Sequence, residues 1–387
     1  MRKDLMHRSH TWCAVVLLST LAMAQTSTRK SPPRSSSSSH PGTATVSILP
    51  PTTEVQSFLR HVFGFDRDMQ YKLLGVAPSA APGIAEIAID VKSARVSGTQ
   101  KLYVLSDRQR AIGGQLLDFP GEPGKQPTEQ QINRFVRQMT SNNPTISWTV
   151  AQNQPNAVSG LTEVTVLLTT AEGRGTQRFW VTPDGTHALV GELLPFAADP
   201  YAAARTALLQ GINGPSRGPA NAPVTIVEFA DLQCPACKMA EPIVEKLVAD
   251  EPRARFVFQQ FPLTQIHDWA LKAAEYGDCV ARQNNQAFWT FAKSVFDSQE
   301  QINKDNADQR LKDLAQKAGV NGSQVASCAS APETAARIKH SIELGNKLEV
   351  NATPTLFVGG RRVNNVGQIP YDLLKKMVEF MATPAAK

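Results

Sequence analysis

The chain is poor in the features that mark metal-binding, membrane-spanning and nucleic-acid-binding proteins. It has five cysteines, and the Cys234/Cys237 pair is not followed by a second Cys/His pair at comparable short spacing. Cys279 and Cys328 are widely separated and His267 is solitary, whereas a structural zinc site usually needs that second pair. The apolar run Cys13–Ala24 is only twelve residues, too short to cross a bilayer at 1.5 Å of rise per residue. Charge of one sign is also scarce where it would matter. The formal net charge is +6, but Arg2, Lys3 and Arg8 against Asp4 account for +2, and Arg29, Lys30 and Arg34 for +3. Residues 51–387 therefore carry about +1, without the basic signature of a nucleic-acid partner.

What is present argues for a folded, multidomain, exported protein. Charged residues make up 19% of the 387 positions, low for a disordered chain, and 42% are hydrophobic, enough for real cores. The length suggests two or three domains. Residues 1–24 read as a secretory signal: a basic start, the short apolar run, and Ala22-Met23-Ala24 as a small-x-small cleavage site. Cys13 lacks a Leu-x-x-Cys context and would be lost with the signal. The mature chain would then not be embedded in the membrane. Four cysteines remain, an even number that fits two disulfides in an oxidising compartment, so a periplasmic or secreted protein is expected. Residues 25–50 are rich in Ser, Pro and Thr and read as a flexible linker.

Residues 54–196 repeat in one register. Gly83-Ile84-Ala85-Glu86-Ile87 aligns with Gly160-Leu161-Thr162-Glu163-Val164, and Lys101-Leu102-Tyr103-Val104 with Arg178-Phe179-Trp180-Val181. Phe58-Leu59-Arg60 aligns with Phe135-Val136-Arg137 without a gap. So many matches at one shift indicate a tandem duplication, drawn as α+β repeat 1 over 51–122 and repeat 2 over 128–210. Each repeat reads as a helix followed by strands: Val55, Phe58, Leu59 and Val62 have helical spacing, and Ile84, Ile87 and Ile89 then Leu102–Leu105 are β-rich. Units this small are expected to pack against each other as one pseudo-symmetric layer.

The Gly/Pro-rich stretch 211–223 marks a change to an α/β pattern. Val224–Phe229 reads as a buried strand, Cys234-Pro235-Ala236-Cys237 opens a helix to about Asp250, and Arg255–Phe261 is a second strand. Residues 267–347 are helical in pattern, Thr355–Val358 is a strand and Tyr371–Met381 a closing helix. Two cysteines separated by two residues at a helix start carry redox chemistry. Unpaired N–H groups and the helix dipole favour a Cys234 thiolate, the attacking and leaving sulfur. Cys237, one turn inside, would resolve the mixed disulfide. A zinc half-site and an inert disulfide are the alternatives. Glu228 lies on the strand leading into this motif and Asp231 just after that strand; either could be only a solvated strand-end acid. His267 reads as a structural residue at a helix start.

Residues 213–383 resemble the DsbA-like thioredoxin-fold family of exported disulfide oxidoreductases. The resemblance rests on Ala222-Pro223-Val224-Thr225-Ile226-Val227-Glu228-Phe229-Ala230-Asp231-Leu232-Gln233 leading into Cys-Pro-Ala-Cys. It rests also on Phe261-Pro262-Leu263 with His267, and on Ala352-Thr353-Pro354-Thr355-Leu356-Phe357-Val358-Gly359-Gly360. It implies an α/β thioredoxin-like fold with a helical insertion, preceded by the tandem α+β repeats. It implies for Glu228 the position of an acidic residue below the active site, where, buried, it could accept or relay the Cys237 proton; Asp231 is the competing candidate. It implies a cis Thr353–Pro354 bond facing the cysteines, with the Thr353 backbone free to pair with an extended substrate; an ordinary trans turn is the alternative. Thr353 is similar to the isomerase and thioredoxin-like patterns, whereas DsbA has Val there. Ala236 stands where DsbA has His, which predicts a less depressed Cys234 pKa and a weaker oxidant. Relatives of this kind often carry a second, structural pair, which implies a Cys279–Cys328 disulfide; two buried free thiols are the alternative. The repeats resemble, more weakly, the dimerisation domain of the DsbC/DsbG isomerases, and could be a built-in pseudo-dimer with a client-binding surface or a duplicated spacer.

Taken together, the expected activity is that of an exported thiol:disulfide oxidoreductase or isomerase acting on secreted protein clients with thiols or disulfides. No organic cofactor or metal is expected, and a membrane redox partner is left unnamed. A chaperone-like client-binding protein and a thioredoxin-like periplasmic reductase are the alternatives.

Overall fold

The computed structural model describes residues 49–93, 97–155, 160–170, 173–364 and 366–383. The expected signal sequence 1–24 and all but the end of the 25–50 linker lie outside the described residues. The chain divides into two compact units, one holding residues 68–197 with the chain up to Phe58, the other holding 59–67 and 198–387.

The first unit is a single antiparallel sheet with helices on one face. Its elements are α1 (Thr52–Phe63, whose first half belongs here), β1 (Gln70–Pro78), β2 (Ala85–Lys92), β3 (Ser97–Val104), β4 (Arg110–Asp118), α2 (Glu129–Met139), β5 (Ser147–Pro155), β6 (Thr162–Thr170), β7 (Gly173–Val181) and β8 (His187–Pro195). Each element from α2 to β8 starts and ends within one residue of 77 positions after its counterpart, as Ser147 follows Gln70. The eight strands run in the order β1-β2-β3-β4-β8-β7-β6-β5. Even the irregularities repeat: β1 bulges between Leu73 and Gly75, β5 between Val150 and Gln152. The halves join where β4 pairs with β8, and Gly114 faces its own counterpart Gly191. A Cβ on Gly114 would stand 2.0 Å from the Val190 carbonyl oxygen, so glycine is required for this approach.

α2 forms because Thr128 and Gln131 make a capping box and because Ile132, Phe135 and Val136 recur on one face. That face packs on Val164, Val166, Phe179 and Val181, with the Phe135 and Phe179 rings 4.8 Å apart. Each such buried side chain is worth roughly 1.5–3 kcal/mol of burial. On the opposite face, Tyr103 and Trp180, equivalent in the two halves, share a second core with Ile84, Leu161, Ile112 and Leu189.

The second unit contains α3 (Ala202–Gly211), β9 (Ser216–Arg217), β10 (Val224–Ala230), α4 (Pro235–Asp250), β11 (Ala254–Gln260), α5 (Ala270–Gln283), α6 (Asn285–Asp297), α7 (Ala307–Lys317), α8 (Gly322–Ala329), α9 (Pro332–Lys347), β12 (Thr355–Val358), β13 (Arg361–Asn364) and α10 (Tyr371–Met381). Its sheet order is β13-β12-β10-β11-β9. β10 and β11 are parallel and joined by α4, whereas β12 pairs antiparallel with β10. β10 is buried on both faces, which is why Val224–Ala230 reads as a nearly unbroken apolar run. One core joins Phe229, Phe261 and Phe357 to Leu208 of α3 and Leu344 of α9. A second joins the start of α4 to α5, α6, α7 and α8.

The units divide differently from the boundaries read in the sequence. α3, placed there at the end of the second repeat, belongs to the second unit because Leu208 packs in its core and Arg205 donates to the Gly359 carbonyl at 2.8 Å. Residues 59–67, placed in the first repeat, also belong to it. The buried Arg361 guanidinium donates to the His61 and Val62 carbonyls at 2.5 and 3.1 Å, and Lys376 pairs with buried Asp66 at 2.8 Å.

Candidate active site

Cys234 is the N-cap of α4, in extended conformation at φ −71° and ψ 122°, with Pro235 as the first helical residue. The loop before it is pinned by its own side chains. Asp231, buried at 1% exposure, accepts from the Gln233 N–H at 2.7 Å and from the Leu263 N–H at 2.8 Å. His267 Nδ1 lies 2.7 Å from the same Asp231 carboxylate. Asp231 and His267 thus tie the loop to the chain leaving β11. Gln233 bonds Asp268 and the Trp269 N–H.

Cys234 and Cys237 are both reduced and buried. The Cys234 carbonyl accepts from the Cys237 and Lys238 N–H groups at 3.1 and 3.2 Å, starting the helix. The Cys234 Sγ is 3.5 Å from the Thr353 carbonyl oxygen, across 119 positions of sequence, and the Thr353–Pro354 bond is cis. The Cys234 thiol is lowered to about 6. Donation from the Cys237 thiol is the largest cause, opposed by burial and helped by Thr353 and by the Cys237 and Ala236 N–H groups. The buried Thr353 hydroxyl has no hydrogen-bond partner among the described residues, so its O–H is available to the Cys234 thiolate. A value of about 6 lies between about 3.5 for DsbA and about 7 for thioredoxin.

Cys237 goes the other way. Burial first, then its donation to Cys234 and the charges of Cys234 and Glu228, push its thiol well up, while the Asp231 N–H, 3.5 Å from the sulfur, opposes. Glu228 sits in the middle of β10, between Phe258 and Leu356 on the neighbouring strands. Burial and repulsion from Glu245 raise its carboxyl to about 8, against the pull of Arg217. Arg217 pairs with Glu245 of α4 and stacks on Trp289 at 4.3 Å and Phe256 at 5.5 Å.

Cys279 on α5 and Cys328 on α8 are joined as a disulfide, with Cα atoms 5.9 Å apart. The Thr334 hydroxyl donates to the Cys328 carbonyl at 2.8 Å beside it. Among the described residues, no group of three or more His, Cys, Asp or Glu side chains is placed to hold a metal ion. No helix among them is long and apolar enough to cross a membrane.

Two participants carry no local signal in the sequence. Gln299, in a 3-10 turn after α6, donates to the Leu232 and Cys234 carbonyls at 2.9 and 3.2 Å. Arg217 reaches the surroundings of Glu228 from a two-residue edge strand. Polar residues in turns are common, and only the folded chain singles these out.

A family model described as "Thioredoxin" matches residues 211–379. A curated relative, "Na(+)/H(+) antiporter NhaA 3" of Salinispora tropica, is 36% identical over 146 residues, 38% of this chain and 22% of that protein. "Disulfide bond formation protein D" of Bacillus subtilis is 27% identical over 172 residues, 43% of this chain and 75% of that one. The chain therefore spans less than a quarter of the length of the antiporter relatives it matches. Among solved structures, oxidised BdbD from Bacillus subtilis is similar at 24% identity over 44% of this chain and 98% of that one, with a TM-score of 0.39. Residues 211–379 are therefore a thioredoxin-like segment, similar in sequence to disulfide bond formation protein D.

Proposed function

We propose that the protein is an exported thiol:disulfide oxidoreductase, working as oxidase or isomerase on secreted protein clients in the periplasm or outside the cell. The observation that carries the reading is the split between the two thiols: Cys234 lowered to about 6 at a helix N-terminus, Cys237 pushed up one turn inside. At neutral pH the first is a nucleophile and the second a protonated reserve.

The steps follow from that split. In the reduced protein, the Cys234 thiolate attacks a client disulfide; one client sulfur leaves as thiolate and a mixed disulfide forms. Cys237 gives up its proton, with Glu228 as acceptor or relay, and attacks Cys234 to release the second client thiol. The client gains two electrons and the Cys234–Cys237 pair is oxidised. Run backwards, the same steps oxidise a client dithiol. Sustained turnover then needs a membrane redox partner to reset the pair. The Thr353 backbone, beside Cys234 Sγ, would meet the client chain. The Cys279–Cys328 bond would lock the helical insertion.

The constant offset between the halves of the first unit supports its origin by tandem duplication, and the pairing of Gly114 with Gly191 supports an internal pseudo-dimer. Cys234→Ser should abolish thiol–disulfide exchange with a model client. Retained exchange would end the proposal, and aggregation suppression surviving as the main activity would favour a holding function. The potential of the pair against glutathione sets the direction: about −120 mV marks a DsbA-type oxidant, about −270 mV a thioredoxin-type reductant.

A further inference from the structure

The geometry points to Gln299 as a positioning residue for the nucleophile, through which the helical insertion holds the Cys234 cap in its thiolate-stabilising form. The inference rests on the redox reading above.

Gln299 is half-buried, just past the C-terminal end of α6. Its side-chain amide donates to two carbonyls, Leu232 at 2.9 Å and Cys234 at 3.2 Å. These carbonyls bracket the Gln233–Cys234 segment, whose backbone angles decide where the Cys234 sulfur points. One amide therefore holds both ends of that segment. The Cys234 carbonyl also accepts from the Cys237 and Lys238 N–H groups, so Gln299 completes its coordination at the first turn of α4.

This matters to the sulfur because its thiolate leans on groups fixed by the same turn. The Cys237 and Ala236 N–H groups and the Cys237 thiol can favour the charge only while Cys234 keeps its extended cap conformation. The other ties on this loop act further back: Asp231 toward Leu263 and His267, Gln233 toward Asp268 and Trp269. Gln299 alone among these side chains bonds the Cys234 peptide itself. It touches neither sulfur, so its effect is on position and not on bond making.

The test is the pH dependence of Cys234 alkylation by iodoacetamide in the full-length reduced protein, with thermal unfolding measured alongside. Gln299→Leu removes the donors. Gln299→Met keeps the length of the side chain without donor hydrogens or added charge, and serves if the leucine variant does not fold. Either variant should raise the Cys234 midpoint by about half to one pH unit, the equivalent of a net hydrogen bond, and slow alkylation at pH 6 several-fold. A lowered unfolding temperature with the wild-type midpoint would reduce Gln299 to a structural residue and overturn the inference. A wild-type midpoint already near the ordinary thiol value would instead defeat the underlying redox reading, so the two failures are distinct.

Discussion

Replacing Cys237 by alanine should raise the Cys234 pKa, because the Cys237 thiol is the largest single support of the Cys234 thiolate. A hydrogen bond to a charged group is worth about 1.5–3 kcal/mol, and one pH unit is 1.36 kcal/mol, so the loss amounts to about 1–2 units. Cys234 should then titrate at about 7–8 instead of about 6. At pH 7 its thiolate fraction falls from about nine-tenths to between about a half and a tenth. The backbone N–H groups and Thr353 remain, so the pKa should stay below that of a free thiol. The variant has one free thiol in the folded unit, with Cys279 and Cys328 bonded to each other, and needs no reductant. Thiolate absorbance and alkylation rate against pH should give the same midpoint. An unchanged midpoint near 6 would refute the reasoning and assign the shift to the helix N-terminus alone. The linkage has a definite sign. Folding lowers the Cys234 pKa, so the reduced protein gains stability above the ordinary thiol value and loses it as pH falls toward 6.

Glu228 should show the opposite linkage. Its folded carboxyl is raised to about 8, so stability is full below the ordinary carboxylate range and falls as pH rises toward 8. In the oxidised protein, where Cys234 does not titrate, Glu228→Gln should therefore flatten urea-unfolding stability between pH 5 and 9, and in exchange assays it should slow release of the mixed disulfide; an oxidised profile parallel to wild type would disprove the assignment. Replacing Cys279 and Cys328 together by alanine should cost up to about 4 kcal/mol, from the chain entropy of a loop with a separation of 49. Equal denaturant midpoints would remove the locking role, and exchange activity at low temperature should persist either way.

Much of the second unit was legible because its signals are local. A strand buried on both faces reads as a nearly continuous apolar run, and Val224–Ala230 is one apart from Thr225 and Glu228. The Pro235–Cys237 start of a helix follows from proline at its first position and a two-residue spacer. The closing helix Tyr371–Met381 shows its apolar face in Leu373, Leu374, Met377 and Val378. The edge strands β1 and β5 were harder to read: half-exposed and bulged, they lack a clean alternation. Glu228 was favoured over Asp231 only through the family resemblance, because both are acids three positions apart in one segment. Both are buried, and their partners separate them. Asp231 has its hydrogen bonds filled by the loop, whereas Glu228 sits among Glu245, Glu241 and Arg217 with its charge disfavoured.

The sequence by itself determined the chemistry on offer: two cysteines a turn apart at a helix start, and a repeated α+β unit with a constant offset. Those depend on periodicity and spacing, which a chain carries without folding. Only the tertiary structure decided which distant groups serve that chemistry. It brings Thr353 to Cys234 across 119 positions, sets Gln299 on the Cys234 peptide, and joins the repeats through Gly114 and Gly191. These choices follow from which buried polar atoms find partners and which backbones can approach. Such conditions are met between segments remote in sequence and leave no local pattern.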